Sequence, residues 1–247
     1  DKLSVHFLGT ERQWSGIEID NDFDQISNCY YSNAILNATI SFVGEPVIVV
    51  DEPSSWAIDA LGKAAQKGIP SDRRVGYKCN CPRIEFAHYV ADMFRAVTGE
   101  SLAQLAKEQG MGLSASYKDT SDVDVLALTA LGIFRGGGNN MFFPERTLTR
   151  GESATVLTRA ARVLGVDVDS APKNCFPDVD CSWIELDWLA FTGIAKGTDK
   201  GLFEPGRTLV AQEALLFVSR LYNVVDPAGD LSAGFLLYCH ISYAKMD

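Results

Sequence analysis

The chain has 247 residues, of which 47% are hydrophobic and 22% are charged, and its formal net charge is −10. This composition is typical of a folded globular protein of one or two domains and excludes a disordered or fibrous chain. The negative charge disfavours nucleic acid as a partner, and no apolar run reaches the roughly 18 residues that a membrane-spanning helix needs, so membrane insertion is excluded as well.

Residues 1–50 contain short runs of alternating or β-branched residues, separated by segments rich in Asn, Asp and Gly. Such runs predict strands. A similar run at residues 234–243 lies within the C-terminal segment 226–247, and we expect the two ends of the chain to share a small sheet. That sheet would allow Cys29 and Cys239 to be neighbours. The three N-terminal runs are residues 3–8, 35–43 and 46–50.

Residues 51–99 combine two helical patterns with a loop between them. The first pattern is an apolar stripe at three- and four-residue steps that stops at Gly68, a typical helix end. The second begins after Pro82, which is favoured at a helix start. The stripes are formed by Trp56, Ala60, Leu61 and Ala64 in the first helix and by Ile84, Ala87, Ala91 and Phe94 in the second.

The same pattern occurs twice more. When the sequence is shifted by 61 residues, Gly132–Glu152 falls on Gly193–Glu213 without a gap and with nine identities in 21 positions. Gly68-Ile69 and Arg83-Ile84-Glu85 are a weaker copy upstream. We therefore predict three tandem helix–loop–helix copies, since a fixed internal period is the mark of a repeat protein. Their boundaries are residues 51–99, 100–165 and 166–225.

A single pair of helices cannot bury its apolar stripe, so the copies are expected to pack around a shared core. The fold class that follows is mainly α, with a small β appendage. Within the second copy, Thr149 and Glu152 have the spacing of a capping box at the start of a helix.

The order of motifs in each copy resembles the S-layer homology family over about 175 residues. It runs aromatic-x-Asp, Trp, Gly-Ile-x-x-Gly, Phe-x-Pro, Thr-Arg-x-Glu and then an apolar helix. The resemblance implies a pseudo-threefold, three-pronged spindle around a central helical bundle. It also implies a secreted bacterial protein that binds secondary cell-wall polysaccharide, often pyruvylated, in grooves between the copies.

The resemblance also implies which residues contact the polymer. Arg83 and Arg150 match the motif arginine, and an arginine at a helix start can hold a pyruvate carboxylate with two hydrogen bonds. We expect both side chains to be exposed and to face the grooves. The other matching residues are the loop glycines Gly136 and Gly197, the tryptophans Trp56 and Trp183, and the acids Asp119 and Asp178.

Several of these residues have a second interpretation. Trp56 and Trp183 lie on apolar stripes, which favours core anchors over sugar-stacking platforms. An aspartate before a helix is favoured as an N-cap, which is the simpler role for Asp119 and Asp178. The third copy departs from the motif, because Val210-Ala211-Gln212-Glu213 lacks both the hydroxyl and the guanidinium, and its groove is expected to be weakened.

No catalytic motif or cofactor fingerprint is found, so we predict a non-catalytic protein without cofactor or metal. The cysteine pairs are separated by one residue and by five residues, which does not fit the usual zinc spacing. A bridge and free thiols are both open for Cys175 and Cys181. The alternative function is an assembly scaffold, in which degenerate repeats contact other surface-layer proteins.

Overall fold

In the computed structural model, the described residues are 4–7, 39–42, 52–73, 75–113, 117–173, 176–180 and 182–226. The chain divides into two units, residues 1–51 and 52–247. In the first unit, β1 (Ser4–Phe7) and β2 (Thr39–Phe42) pair in parallel. Two of the predicted strands are therefore confirmed. The predicted strands at residues 46–50 and 234–243, and the pair Cys29 and Cys239, lie outside the described residues.

The second unit is built from helices, and the described part of the protein is mainly α, as predicted. Three helices are long and the others are short, and each long helix follows a loop that contains a glycine or a proline. The helices are α1 (Ile58–Gln66), α2 (Arg83–Thr98), α3 (Leu102–Glu108), α4 (Val123–Ala130), α5 (Arg150–Val163), α6 (Ile184–Phe191) and α7 (Ala211–Val225).

The long helices form the centre of the second unit. The last of them, α7, packs against α1, α2 and α5, while α4 packs against α2 and α6 packs against α5. Their inward faces contribute to one cluster of buried apolar side chains, which includes the fully buried Phe86 and Phe94 of α2. Each large apolar side chain in such a core contributes roughly 1.5–3 kcal/mol. The second helices of the predicted copies meet at α7, which packs against both α2 and α5.

Two residues after its end, each of three short helices is followed by a glycine and then by a buried isoleucine. Gly68, Gly132 and Gly193 have φ of +75°, +70° and +73°, a conformation that glycine adopts without the steric cost of a Cβ. The next residues, Ile69, Ile133 and Ile194, are 0% exposed. The glycines thus reverse the chain so that the following side chain enters the core.

The long helices differ in how they begin. At Thr149 the hydroxyl accepts from the Glu152 amide at 3.2 Å, and the Glu152 carboxylate accepts from the Thr149 amide at 3.1 Å. The predicted capping box is therefore confirmed. At α7 the cap residue is Val210, which has no hydroxyl, and Glu213 accepts weakly from its amide at 3.5 Å.

We expect Thr149→Ala to lower the free energy of unfolding by about 1 kcal/mol, because one helix amide loses its acceptor. Val210→Thr should raise it by a similar amount, roughly 1 kcal/mol. The reason is that the Val210 backbone (φ −91°, ψ 154°) is close to that of Thr149 (φ −89°, ψ 160°), so a threonine hydroxyl would be placed for capping. Urea denaturation of the two variants checks both signs. A loss of stability in Val210→Thr would contradict the equivalence of the cap positions Val210 and Thr149.

Three loop segments hydrogen-bond to one another in a closed ring just before the long helices. The Cys81 amide donates to the Leu209 carbonyl at 2.8 Å, the Leu209 amide to the Leu148 carbonyl at 2.8 Å, and the Leu148 amide to the Cys81 carbonyl at 3.0 Å. All three residues are 0% exposed. The starts of α2, α5 and α7 are therefore held together by equivalent backbone contacts.

Two cysteines lie in the described part of the chain, and both are free thiols. Cys79 is exposed and Cys81 is buried, and burial, together with the nearby Glu85, raises the pKa of the Cys81 thiol. Cys175 and Cys181 lie outside the described residues. Among the helices that the structure describes, none combines the length and apolar character needed to cross a membrane.

Candidate functional site

Each long helix starts against a loop, and the three contacts are built alike. We name them the first junction (start of α2 against residues 135–146), the second junction (start of α5 against residues 203–207) and the third junction (start of α7 against residues 77–79). In each, the first two helix amides donate to loop carbonyls. The bonds are Arg83 to Arg146 and Ile84 to Pro144, Arg150 to Arg207 and Gly151 to Pro205, and Ala211 to Cys79 and Gln212 to Tyr77, at 2.8–3.0 Å.

At the first junction, Arg83 points into the loop rather than into solvent. Nε donates to the Phe142 carbonyl at 2.9 Å and Nη2 to the Arg135 carbonyl at 3.0 Å. The guanidinium also lies over the Phe142 ring, with Cζ 4.7 Å from its centre. Burial is the main cause that lowers the pKa of Arg83, and the nearby Arg146 acts in the same direction.

Arg150 repeats this arrangement at the second junction. Nε donates to the Phe203 carbonyl at 2.8 Å, and Cζ lies 5.0 Å from the centre of the Phe203 ring. Nη1 lies 3.6 Å from Oε1 of Glu213 in α7. Burial lowers the pKa of Arg150, and Glu213 opposes part of that shift.

The expectation that these arginines are exposed is wrong. Arg83 is 6% exposed and Arg150 is 4% exposed. The physical reason is that each guanidinium fills a gap beside an aromatic ring and donates to a loop carbonyl for which the described residues supply no other donor. Nevertheless, Nη1 of Arg83 and Nη2 of Arg150 make no hydrogen bond to the residues that the structure describes. Each arginine therefore keeps hydrogen-bonding capacity beyond its structural contact.

Asp119 and Asp178 bind the same loops from the other side. The two carboxylate oxygens of Asp119 accept from the amides of Phe142 and Phe143, at 2.8 and 2.7 Å. Asp178 accepts in the same way from the next loop, Phe203 at 2.9 Å and Glu204 at 2.7 Å. The prediction that these aspartates are N-caps is therefore wrong. The caps of α4 and α6 are Asp122 and Trp183.

These aspartates stabilise a strained turn. The second residue that each one binds, Phe143 or Glu204, has φ of +58°, a conformation unfavourable for residues with a side chain. Partial desolvation raises the pKa of both carboxyls, but the two backbone amide donors together outweigh it and lower the pKa. In each loop, the motif arginine therefore donates to the carbonyl of one residue, and the motif aspartate accepts from the amide of the same residue. That residue is Phe142 in the first loop and Phe203 in the second.

The loop glycines make room for the protein's own aromatic rings. A Cβ on Gly136 would lie 2.7 Å from Cε1 of Tyr117, and a Cβ on Gly197 would lie 3.0 Å from Cε1 of Phe176. Gly197 also has φ of +74°. Both rings come two residues before the matching aspartates. In the structure, these aromatic rings therefore pack over the glycine positions that the resemblance assigns to a sugar.

The two tryptophans have different surroundings. Trp56 is 61% exposed, so its favoured interpretation as a core anchor is wrong; the helix begins at Ile58 and places it before the first turn. Trp183 is partly buried, and its ring meets Phe203 edge to face at 6.5 Å between centres. A Cβ on Gly151 would lie 2.8 Å from the Trp183 ring. Trp183 therefore belongs to the second junction, close to Arg150.

The third junction has no arginine at the start of its helix. Ala211 takes the place of the motif arginine, and the next residue, Gln212, binds Ser54 instead. Its Oε1 accepts from the Ser54 amide at 2.9 Å and its Nε2 donates to the Ser54 hydroxyl at 3.1 Å. This contact joins the start of α7 to the segment that precedes α1.

Sequence reasoning missed a polar link between α2 and α4. Arg95 pairs with Asp92 on its own helix and with Asp124 of α4, the latter at 3.2 Å, while His88 lies 2.8 Å from Asp122. Burial raises the pKa of Asp124, and Arg95 opposes this. The signal was weak, because these residues lie on polar helix positions without a motif. The link holds α2 and α4 together, and His88 is engaged in it.

The junctions are therefore the candidate site. The first two combine a guanidinium with aromatic rings, and the loop of the first includes the exposed glycines Gly136, Gly137 and Gly138. In the described residues, no group of three or more His, Cys, Asp or Glu is placed to hold a metal ion. Residues 116–154 match the S-layer homology domain. The matched stretch includes Asp119, Gly136 and Arg150.

Domains of the S-layer homology family are generally non-catalytic cell-wall anchoring modules that bind secondary cell-wall polymers. The match covers the greater part of the second predicted copy. Residues 51–99 and 166–225 lie outside it, and three tandem S-layer homology copies stay a prediction. No curated protein sequence matches the chain.

Proposed function

We propose that the protein is a non-catalytic anchoring module of the bacterial cell surface that binds cell-wall polysaccharide at the junctions. The observation that carries the proposal is the pairing of an S-layer homology match over residues 116–154 with a junction arginine, Arg150, whose guanidinium is only partly used by the protein. A secreted protein located at the cell wall is part of the same proposal.

The proposal includes three repeats arranged as a pseudo-threefold spindle. Its support is the ring of hydrogen bonds through Cys81, Leu148 and Leu209, and the matching pairs of amide bonds at the three junctions. The proposed copies are residues 51–99, 100–165 and 166–225, flanked by a β-rich segment at 1–50 and a tail at 226–247. The three junctions would then offer similar binding sites to successive units of a repeating polymer.

A pyruvate ketal on the polymer would supply the carboxylate that such a site needs. The outer nitrogens of Arg150 and Arg83 are the donors that we assign to it, since a carboxylate gains most from a charged, planar donor. Trp183 lies beside Arg150, and the exposed Trp56 offers an aromatic face to a sugar. Gly136, Gly197, Asp119 and Asp178 would act through the loops that they shape.

The alternative function is a scaffold for contacts with other surface-layer proteins. Two observations favour it: Ala211 removes the helix arginine of the third junction, and large apolar side chains are exposed at Trp56 (61%) and Ile58 (53%). Exposed apolar residues that lie close together are more common in contact surfaces than elsewhere. A scaffold would not require a carboxylate on the wall polymer.

The test is a pull-down of the full chain with cell-wall sacculi that carry pyruvylated polymer. We expect the wild type to bind, and chemical removal of pyruvate to abolish binding. Arg150→Lys, which keeps the charge but loses the planar donor, should weaken binding by roughly tenfold or more. Arg162→Ala is the matched control, because Arg162 is an exposed arginine paired with Asp169 at 2.6 Å.

The outcomes separate the two functions. Equal binding by wild type and Arg150→Lys would remove the second junction from the site. Absence of binding to every wall preparation would contradict the anchor and favour the scaffold. Circular dichroism of each variant at the assay temperature establishes that the compared proteins are folded.

A further inference from the structure

Each junction has a glutamate at the third residue of the neighbouring long helix, and at two of them arginines surround it. At the first junction Glu152 pairs with the loop arginine Arg146 at 2.6 Å, and its charge also acts on Arg83. At the second, Glu213 pairs with the loop arginine Arg207 at 2.7 Å and lies 3.6 Å from Arg150 of the helix. At the third the equivalent residue is Glu85 of α2, which is 1% exposed. Ala211 supplies no charge there.

A different arginine reaches the third junction from the loop. Cζ of Arg73 lies 3.6 Å from the centre of the Tyr77 ring, and the Tyr77 carbonyl accepts from the Gln212 amide at 2.8 Å. The Nη1 atom of Arg73 is buried. Arg73 therefore stacks on the loop residue that contacts α7 directly, much as Arg150 lies over Phe203.

The surroundings of Arg73 correspond to those of Arg150. Arg150 lies over Phe217, the seventh residue of α7, at 5.2 Å from Cζ to the ring centre. The seventh residue of α2 is Tyr89, whose hydroxyl donates to Glu85 at 2.8 Å. Burial and Glu85 raise the pKa of Tyr89, and the positive charge of Arg73 acts in the opposite direction. Arg73 thus acts on an aromatic residue of the neighbouring long helix, as Arg150 does, and that residue holds the glutamate of the junction.

We propose that Arg73 takes the place of the arginine missing at Ala211 and makes the third junction a binding site for a carboxylate-bearing sugar polymer. The ligand class rests on the proposed function. The cation enters from the loop instead of from the helix, so the charge at the third junction is kept although the motif is lost. The third groove is then a third site of the same kind, contrary to the weakening expected from the sequence.

The test compares four full-length proteins: wild type, Arg73→Ala, the double variant Arg73→Ala/Ala211→Arg, and the control Arg162→Ala. Two quantities are measured for each, the thermal unfolding midpoint and the apparent Kd for sacculi with and without pyruvate. We expect Arg73→Ala to lower the midpoint and to weaken sacculus binding by roughly tenfold, as the loss of one charge-assisted contact does. The double variant should recover the wild-type midpoint and the wild-type sacculus affinity, because it has an arginine at the motif position of the helix.

Each outcome decides a part of the inference. No recovery of the midpoint in the double variant would overturn the replacement of one arginine by the other. Recovery of the midpoint with unchanged sacculus binding in Arg73→Ala would leave Arg73 a structural cation and overturn its role with the ligand. If wild type binds no sacculi, the proposed function fails and the ligand role fails with it, whereas the midpoint rescue still decides the replacement. A midpoint and a sacculus affinity in Arg73→Ala that both equal those of Arg162→Ala would overturn the replacement and the ligand role together.

Discussion

Arg150→Ala is expected to lower the free energy of unfolding by roughly 2–3 kcal/mol, the value of a hydrogen bond from a charged donor to a buried acceptor. The side chain is 4% exposed, and its Nε is 2.8 Å from the Phe203 carbonyl. Alanine would leave that carbonyl without its donor and would open a gap beside the rings of Phe203 and Phe217. The gap adds to the cost, because buried contacts are lost without replacement.

Two comparisons identify the cause of the effect. Arg150→Lys should be intermediate, since a lysine keeps the charge and the stem but cannot place an Nε donor at the carbonyl. Arg162→Ala should change stability by less than about 1 kcal/mol, because its ion pair with Asp169 is exposed. Urea denaturation measures all three. If Arg150→Ala were as stable as Arg162→Ala, the buried contact with Phe203 would be contradicted.

This expectation changes how binding data on the motif arginine are interpreted. A loss of sacculus binding in Arg150→Ala can come from a missing ligand contact or from a displaced loop. Arg150→Lys distinguishes these two explanations, because it perturbs the loop less than Arg150→Ala does. For the same reason, we expect a variant of the motif arginine to affect the loop that it holds as well as any bound sugar.

Local features of this protein were predictable from the sequence. The starts of α2 and α5, the capping box of Thr149 and Glu152, and the chain reversals after Gly132 and Gly193 depend on residues within a few positions of each other. Their physical causes, such as an amide without a partner or a positive φ, act over one helical turn. The spacing of residues in the sequence is therefore enough to predict these local features.

The junctions were only partly predictable, because they join residues far apart in the chain. The partner of Arg83 is 59 residues away and that of Arg150 is 53 residues away. A motif indicates that an arginine is present at a helix start, but not whether a loop from elsewhere covers it. For this reason, both arginines were wrongly predicted to be exposed. The motif also contains no feature that would point to Arg73 as a substitute for the arginine missing at position 211.

The two aspartates illustrate a second limit. An aspartate shortly before a helix fits the pattern of an N-cap, and nothing local distinguishes that role from a bond to a distant loop. Asp119 binds residues 23 and 24 positions later, and Asp178 binds residues 25 and 26 positions later. The repeated aromatic-x-Asp motif could have indicated the second role. An N-cap does not require an aromatic residue two positions earlier, yet Tyr117 precedes Asp119 and Phe176 precedes Asp178 at that spacing.

Asp119→Asn is expected to destabilise the protein because the carboxylate uses both of its oxygens. An asparagine has one acceptor oxygen, and its NH₂ group would face the second amide, donor against donor. The asparagine oxygen can stay on the Phe142 amide, so the donor left without an acceptor is the exposed Phe143 amide, and the expected cost is about 1 kcal/mol. Asp169→Asn is the control, since Asp169 is an exposed carboxylate that pairs with Arg162.

Acid should act on the wild type through these same carboxylates. The pKa values of Asp119 and Asp178 are lower in the folded protein than their ordinary value of 3.8, so folding favours the ionised form. Their contribution to stability is therefore fully present above that value and is lost as the pH falls through the lowered pKa. We expect the thermal midpoint of the wild type to fall as the pH drops below about 4, and that of Asp119→Asn to fall less. Parallel curves for the two proteins would contradict a role for Asp119 in acid unfolding. A smaller acid effect in the double variant Asp119→Asn/Asp178→Asn than in either single variant would show that both loops depend on the same kind of bond.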